Sequence, residues 1–359
     1  MRVLIVDTCY PAFLAHHYEA SPGLERRSYD EQWRALMDTF FGTADAYSHY
    51  LGELGHEAHE VVVNAEPLQR AWANEHGRRR GLAARVLGRP DPDLVLAQAE
   101  WFEPDVVYVQ HIGFLPPETM AELKGRTRLL VGQIASEAPA AEHFRHLDLV
   151  LTSFPHFVPR FRQDGLSSEY LRIGFDPRVL DRLGETEPRR DVVFVGALGR
   201  LQHARGNDLL ERAAGRLPID VWGYNVGERP PKSPLLRRYH GEAWGLDMLR
   251  VLASARIAVN RHIDVAEDNA NNMRLYEATG VGALLLTDAK QNLGELFEVG
   301  GEVAAYGDED ELVQVAEHYL AHEDERAAVA AAGQARTLRD HTYAERMREL
   351  ADILGAYLR

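Results

Sequence analysis

Between residues 269 and 288 the chain reads NANNMRLYEATGVGALLLTD. Arg274 and Glu277 stand three apart, so on a helix they share one face. A turn with Gly280 and Gly282 follows, then ALLLT, the apolar run of a buried strand. A carboxylate on such a helix, just before a strand, can accept two hydroxyl hydrogen bonds at once, as a ribose diol requires. The same pair can instead close a salt bridge, the better reading for an isolated helix. The preceding segment, 255–272, ends a strand at Asn260 and continues through Arg261, His262, Glu267, Asp268, Asn269, Asn271 and Asn272. So many amides and charges at a strand end suit sugar hydroxyls. The alternative is a polar loop with a helix cap at Asn271 or Asn272.

Two further strand ends in this half carry related chemistry. VFVGALGRLQHARG, 193–206, runs from a strand through a glycine-rich loop to a helix that begins near Asn207. Gly196 and Gly199 let the backbone approach a ligand, the helix start favours an anion, and Arg200 and Arg205 add positive charge. A plain connection with surface arginines fits equally well. In IDVWGYN, 219–225, the strand ends at Trp222, which reads as a core residue, and Gly223, Tyr224 and Asn225 follow.

In the first half, DVVYVQHIGFLP, 105–116, is a buried strand that ends in His111. A neutral imidazole there can take a hydroxyl proton or hydrogen-bond a sugar; a satisfied core histidine is the rival. GQIASEA, 132–138, brings Ser136 and Glu137 to the next strand end, with Glu137 either a site carboxylate or a helix-start residue. Residues 8–40 separate the first strand from a turn at Gly42, far more than the usual loop. Their aromatics include Tyr10, Phe13 and Trp33, with His16 and His17 as candidate bases. Such an insert suits stacking on a sugar ring or an aromatic acceptor. A helical hairpin with its own small core is the alternative, and it fits Trp33.

The elements that must position these groups follow from the apolar pattern. Runs at 3–6, 58–63, 106–109, 129–131, 149–152 and 169–172 suit strands buried on both faces. A second series lies at 192–195, 219–222, 257–260, 283–287 and 302–305. Helical patterns lie between them, for example at 44–54, 207–216, 246–255 and 309–322. Repeated βα units in two series give an α/β protein of two doubly wound domains. The polar, proline-bearing segment 175–190 separates them. The expected organisation is 1–178 with its insert 8–40, then 187–342, then an amphipathic helix over 343–359. Ligands of such sheets sit at the strand C-termini, so a cleft between the domains is the expected site.

Composition narrows the function. The chain has 359 residues and 45% hydrophobic content, which suits two ordinary globular domains. Its net charge of −15 excludes generic nucleic-acid binding and docking on an anionic membrane. The basic run 78–80, with Arg85 and Arg89, reads as a solvated face. One cysteine, Cys9, no signal-peptide core and no long apolar run point to a cytoplasmic protein without a transmembrane segment. Asp-x-Asp occurs only at 91–93 and 308–310, where it reads as turns or caps, so no metal site is expected.

The segment from Arg274 to Asp288, with its pattern R-x-x-E-A-x-x-x-G-x-x-L-L-T-D, resembles the donor-binding signature of GT-B nucleotide-sugar glycosyltransferases. It is most similar to their CgeB-like branch. Gly199-Arg200-Leu201 and Arg205-Gly206 resemble the group 1 pattern V-G-R-L…K-G, with Arg in place of Lys. Phe41-Gly42-Thr43 and Gly55-His56 resemble the turn and helix end of the same superfamily, and 105–111 its D-V-V-H-x-H strand. The resemblance implies two Rossmann-like domains facing a cleft, acceptor-binding first and donor-binding second, with the last helix returning to the first domain. It implies Glu277 on the ribose, Arg274, Arg200 and Arg205 about the diphosphate or sugar, and Gly42 and Gly196 against the phosphates. Trp222, Gly223, Tyr224 and Asn225 would wall the base pocket, and Asn260, Asn269 and Asn272 would meet the sugar. His111 would face the transferred sugar, with His16 and Glu137 as further catalytic candidates. Many retaining relatives carry a glutamate where Asn269 stands. The implied activity is sugar transfer from a nucleotide-diphosphate sugar to a hydroxyl or amine, metal-independent and retaining, with no cofactor beyond that co-substrate. The alternatives are a nucleotide-sugar epimerase of the same fold or a non-catalytic carbohydrate-binding derivative.

Overall fold

The computed structural model describes residues 1–79, 81, 91–184, 190–199 and 204–359, with backbone alone at 204 and 205. The chain divides into two compact units, Met1–Leu171 with Met347–Arg359, and Arg172–Arg346. Each is built on one parallel sheet, so the doubly wound α/β reading holds.

In the first unit the strands are β1 (Arg2–Asp7), β2 (Glu57–Val62), β3 (Val106–Val109), β4 (Leu129–Gln133), β5 (Leu149–Thr152) and β6 (Ser168–Tyr170). The central ones form because Val, Ile and Leu runs can bury both faces. Val3, Leu4, Ile5 and the whole of β3 are sealed from solvent. The order is β2-β1-β3-β4-β5-β6, all parallel. From β1 the chain turns to one side for β2 and to the other for β3. The crevice at the C-terminal ends of β1 and β3 is therefore this sheet's switch point.

The insert 8–40 is helical, with helices Pro11–Ala20 and Tyr29–Met37 around a short 3-10 turn, Leu24–Arg26. Ser28 and Glu31 start the second helix by capping each other's backbone N–H. Trp33 donates Nε1–H to the Glu60 carbonyl at 3.0 Å and stacks on His59, a structural use of that ring. The final helix, Tyr343–Leu358, joins the first unit from Met347 onward. Arg128 donates to the Leu358 carbonyl there, and the Tyr357 hydroxyl to Glu169.

The second unit carries β7 (Arg190–Val195), β8 (Ile219–Trp222), β9 (Ala255–Val259), β10 (Leu284–Asp288) and β11 (Ala304–Tyr306). Their order is β11-β10-β9-β7-β8, again all parallel, so the switch point lies between β7 and β9. Residues 172–178, placed with the first half by sequence, pack in this unit. Phe175 N–H donates to the His341 carbonyl and its own carbonyl accepts from Tyr343 N–H. Its ring lies where Gly280 has no side chain, since a Cβ there would stand 2.6 Å from Phe175.

Candidate functional site

At the switch point of the second unit three consecutive carbonyls are each held by a side chain. Arg261, just past β9, donates Nη2–H to Ala197 O at 2.6 Å and to Asn207 Oδ1 at 2.5 Å. Arg229 donates to Leu198 O at 2.7 Å, and Asn207 donates Nδ2–H to Gly199 O at 2.6 Å. The loop after β7 is thereby fixed before any ligand arrives. Its other side lies against the loop after β8: Gly196 N–H donates to Trp222 O and Leu198 N–H to Tyr224 O. A Cβ at Gly223 would stand 2.0 Å from the Gly196 carbonyl oxygen, so only glycine fits there. A Cβ at Gly206 would meet the Arg261 stem at 2.4 Å, which places that arginine across the first turn of the helix Ala204–Ala213.

Arg261 and Arg229 are both buried. Burial lowers the Arg261 pKa to about 10, so the guanidinium keeps its charge at neutral pH. The Arg229 carboxylate partner, Glu211, stands 3.8 Å away. Two charged guanidiniums beneath a glycine-bearing loop give this strand end the electrostatics of an anion site. Beside them His262 places Nδ1 2.6 Å from Asp288 Oδ1. Burial pushes the Asp288 carboxyl up, but the His262 hydrogen bond and the His262 and Lys290 charges outweigh it and hold it below its usual range. The His262 Nε2 is buried without a hydrogen-bond partner among the described residues.

The predicted donor residues divide into two groups. Arg274 and Glu277, on the helix Met273–Gly280, bond directly, Nη1 to Oε2 at 2.7 Å. Tyr224 is half-buried and stacks on Trp244 at 5.3 Å, and Asn225 is exposed in the left-handed region, φ 60°. Asn260 and Asn272 bond one another. Asn260 also bonds Thr287, and Asn272 caps the Met273–Gly280 helix by accepting from Leu275 N–H. Both amides thus hold the loop itself, and Asn272 is the helix cap of the alternative reading. Asn269 is buried, with its Oδ1 near Gln291 Nε2. Trp222 lies in the core, as its place in the strand suggests and unlike the base-pocket wall that the resemblance implies: it stacks on His240 at 4.4 Å and lies beneath the Arg190 guanidinium. Arg200 and the Arg205 side chain lie outside the described residues.

In the first unit, β1 ends in Asp7 and β3 leads into Gln110 and His111, with Gln110 N–H donating to Val6 O. Burial raises the Asp7 carboxyl to about 6, against hydrogen bonds from Thr8 N–H and the Thr43 hydroxyl. Gln110 in turn donates Nε2–H to Thr43 Oγ1 at 3.2 Å. The turn that carries Thr43 is left-handed at Phe40, Gly42 and Ala44, an unusual run for non-glycine residues. His111 is exposed and not a core histidine; partial desolvation of its ring lowers its pKa. Phe13 stacks on Phe41 at 4.0 Å, and Tyr10, 52% exposed, meets the same ring edge-on. His16 is exposed on the first insert helix. Glu137 is exposed in a bend and starts no helix. Sequence reading passed over Asp7, and it named Arg261 and His262 without assigning them roles. The available signal was position alone: Asp7 terminates β1, and Arg261 and His262 stand in the first residues after β9.

Residues 202–352 match the model of a family described as glycosyl transferase-like. No curated protein matches the chain. Among solved structures, HepE of Anabaena in complex with UDP and glucose superposes with a TM-score of 0.62 at 14% identity, covering 99% of this chain and 100% of that one. Sucrose-phosphate synthase of Thermosynechococcus elongatus gives 0.61 at 12%, covering 99% of each. A glycosyltransferase of Rickettsia africae gives 0.62 at 10%, covering 100% of this chain and 98% of that one. The fold is that of the GT-B glycosyltransferases. The family match and the fold together support a glycosyltransferase enzyme. Among the described residues no helix is long and apolar enough to cross a membrane.

Proposed function

We propose that this protein transfers a sugar from a UDP-sugar to an acceptor hydroxyl or amine, with retention and with no metal or cofactor in the reaction, as a cytoplasmic CgeB-like GT-B enzyme. The second unit binds the donor and the first binds the acceptor. The observation that carries the reading is the loop after β7, its carbonyls tied down by Arg261, Arg229 and Asn207 over two buried positive charges. Such a floor stabilises a diphosphate, and more so as the bond to the sugar breaks and charge moves onto the leaving oxygen. Arg200 and Arg205 add to it, Glu277 takes the ribose, and the ring of Tyr224 meets the base. In the transfer, the acceptor oxygen bonds the anomeric carbon, the bond to the diphosphate breaks, and the acceptor proton leaves on the departing phosphate. Both Asp-x-Asp sequences serve as helix caps: Asp91 accepts from Asp93 N–H and Asp308 from Glu311 N–H. That use supports a metal-independent reading. Structures of HepE with UDP-glucose support UDP as the nucleotide.

Thermal unfolding of the full chain with UDP and with uridine tests the reading. At a hundred times its Kd, UDP should stabilise by about 2.7 kcal/mol, and uridine far less. No response to any nucleoside diphosphate would refute it. With UDP-glucose and no acceptor, appearance of a new nucleotide sugar would replace transfer by epimerisation.

A further inference from the structure

Residues 317–325, EHYLAHEDE, hold two histidines, four carboxylates and no basic residue. The helix Glu309–Ala321 ends here with His322 as its C-cap, and the same residue is the N-cap of the helix Glu323–Asp340. His318 and His322 are four apart and therefore neighbours on one face, with rings stacked at 4.3 Å and 26° between their planes. Glu325, in the first turn of the second helix, brings Oε2 to 3.0 Å from His318 Nε2. One ligating atom from each of the three lies within 4.8 Å of the others, and all three side chains are exposed.

Two details separate this group from an ordinary solvated cluster. The His322 Nδ1 lies 2.8 Å from the His318 carbonyl. A carbonyl only accepts, so Nδ1 carries the proton and Nε2 keeps its lone pair. A ring nitrogen anchored in this way, with the other nitrogen aimed outward, is the usual arrangement of a metal-ligating histidine. Glu323 is meanwhile committed to Arg256 and Arg326. Glu325 is the carboxylate that faces the imidazoles.

We propose that His318, His322 and Glu325 form a surface site for a borderline divalent cation, zinc above all, that joins the two helices across their corner. Two imidazoles and one carboxylate are a donor set that zinc accepts, with water completing the tetrahedron. Zinc bonds to such ligands are about 2.0–2.2 Å, and small rotations of three exposed side chains close the present separations. The acidic neighbours favour a cation. The corner lies beside the start of β9, where Arg256 donates to the Leu320 carbonyl and to Glu323. It is thus at the opposite end of β9 from Arg261. The ion has a structural role there, independent of the proposed transfer chemistry.

The test is a calorimetric titration of the full, untagged, metal-stripped chain with zinc chloride, beside thermal unfolding. One saturable site per chain is expected, together with a higher Tm. Binding should be lost in His318→Ala and in His322→Ala, and weakened about tenfold or more in Glu325→Gln. It should also weaken in acid, because metal binding displaces protons from its ligands. The variants' unchanged Tm without zinc would show that they fold. No saturable binding, or wild-type binding by either histidine variant, would overturn the proposal.

Discussion

Arg274 and Glu277 hold each other across one helical turn, Nη1 to Oε2 at 2.7 Å, in a half-buried position where their side chains are 14% and 12% exposed. That bond orients both groups, and it also leaves each with an occupation that needs no ligand. Function and structure therefore separate only by experiment.

Glu277→Ala is expected to weaken UDP binding about tenfold or more, measured by calorimetry. A carboxylate hydrogen-bonded to a ribose diol contributes on the order of 1.5–3 kcal/mol per charged bond. The ion pair is 14% and 12% exposed, so losing it costs more than the roughly 0.2–0.5 kcal/mol of an exposed helical pair, and Tm should fall as well. Unchanged UDP affinity with a large fall in Tm would make the pair structural.

Gly223→Ala places a methyl group 2.0 Å from the Gly196 carbonyl oxygen, and backbone cannot swing aside as a side chain can. A loss of about 1–3 kcal/mol is expected from urea unfolding, together with weaker UDP binding as the loop after β7 shifts. Gly294→Ala, where a Cβ meets nothing within 4 Å, is the control and should be neutral or stabilising.

Asp7 and His111 lead out of adjacent strands at the first unit's switch point. Turnover of the proposed UDP-sugar donor should fall far more than UDP affinity in both Asp7→Asn and His111→Ala. The Asp7 carboxyl ionises near pH 6. If its carboxylate is the working form, the rate should climb through that pH in the wild type, and the climb should vanish in Asp7→Asn. Wild-type rates in both variants, with UDP still bound, would remove these residues from the reaction without touching the donor site.

Glu60, buried in β2, accepts from the Ser48 N–H and hydroxyl. Burial raises its pKa from 4.5 to about 8. The folded state thus binds this proton more tightly than the unfolded chain does. The stabilisation is complete below pH 4.5 and is lost as pH rises to about 8. Glu60→Gln should remove a slope on the order of a few kcal/mol from the stability profile between those values. An unchanged slope in urea unfolding at pH 5 and pH 8 would assign it to other groups.

Much of this protein was legible in its sequence. Each of the eleven runs overlaps a strand, and the clearest are apolar nearly throughout, as at β3 and β5, because a parallel strand covered on both faces leaves little room for polar groups. The same local chemistry marked the glycine-bearing loop after β7, the neighbouring Arg274 and Glu277, and the cap alternative at Asn272. Side-chain occupation was less legible. Trp222 is taken up by His240 and Arg190, residues 18 and 32 positions away in the chain, and no periodicity encodes such partners.

Strand order was decided only by the tertiary structure. Residue period records which faces are buried, and it carries no information on which strand lies beside which. Pairing β1 with β3 across about a hundred residues sets Asp7 beside the strand that delivers His111. Pairing β7 with β9 sets Arg261 beneath Ala197, 64 residues away. Those two pairings create the switch points, and a carboxyl and a guanidinium that looked incidental in the sequence stand at them.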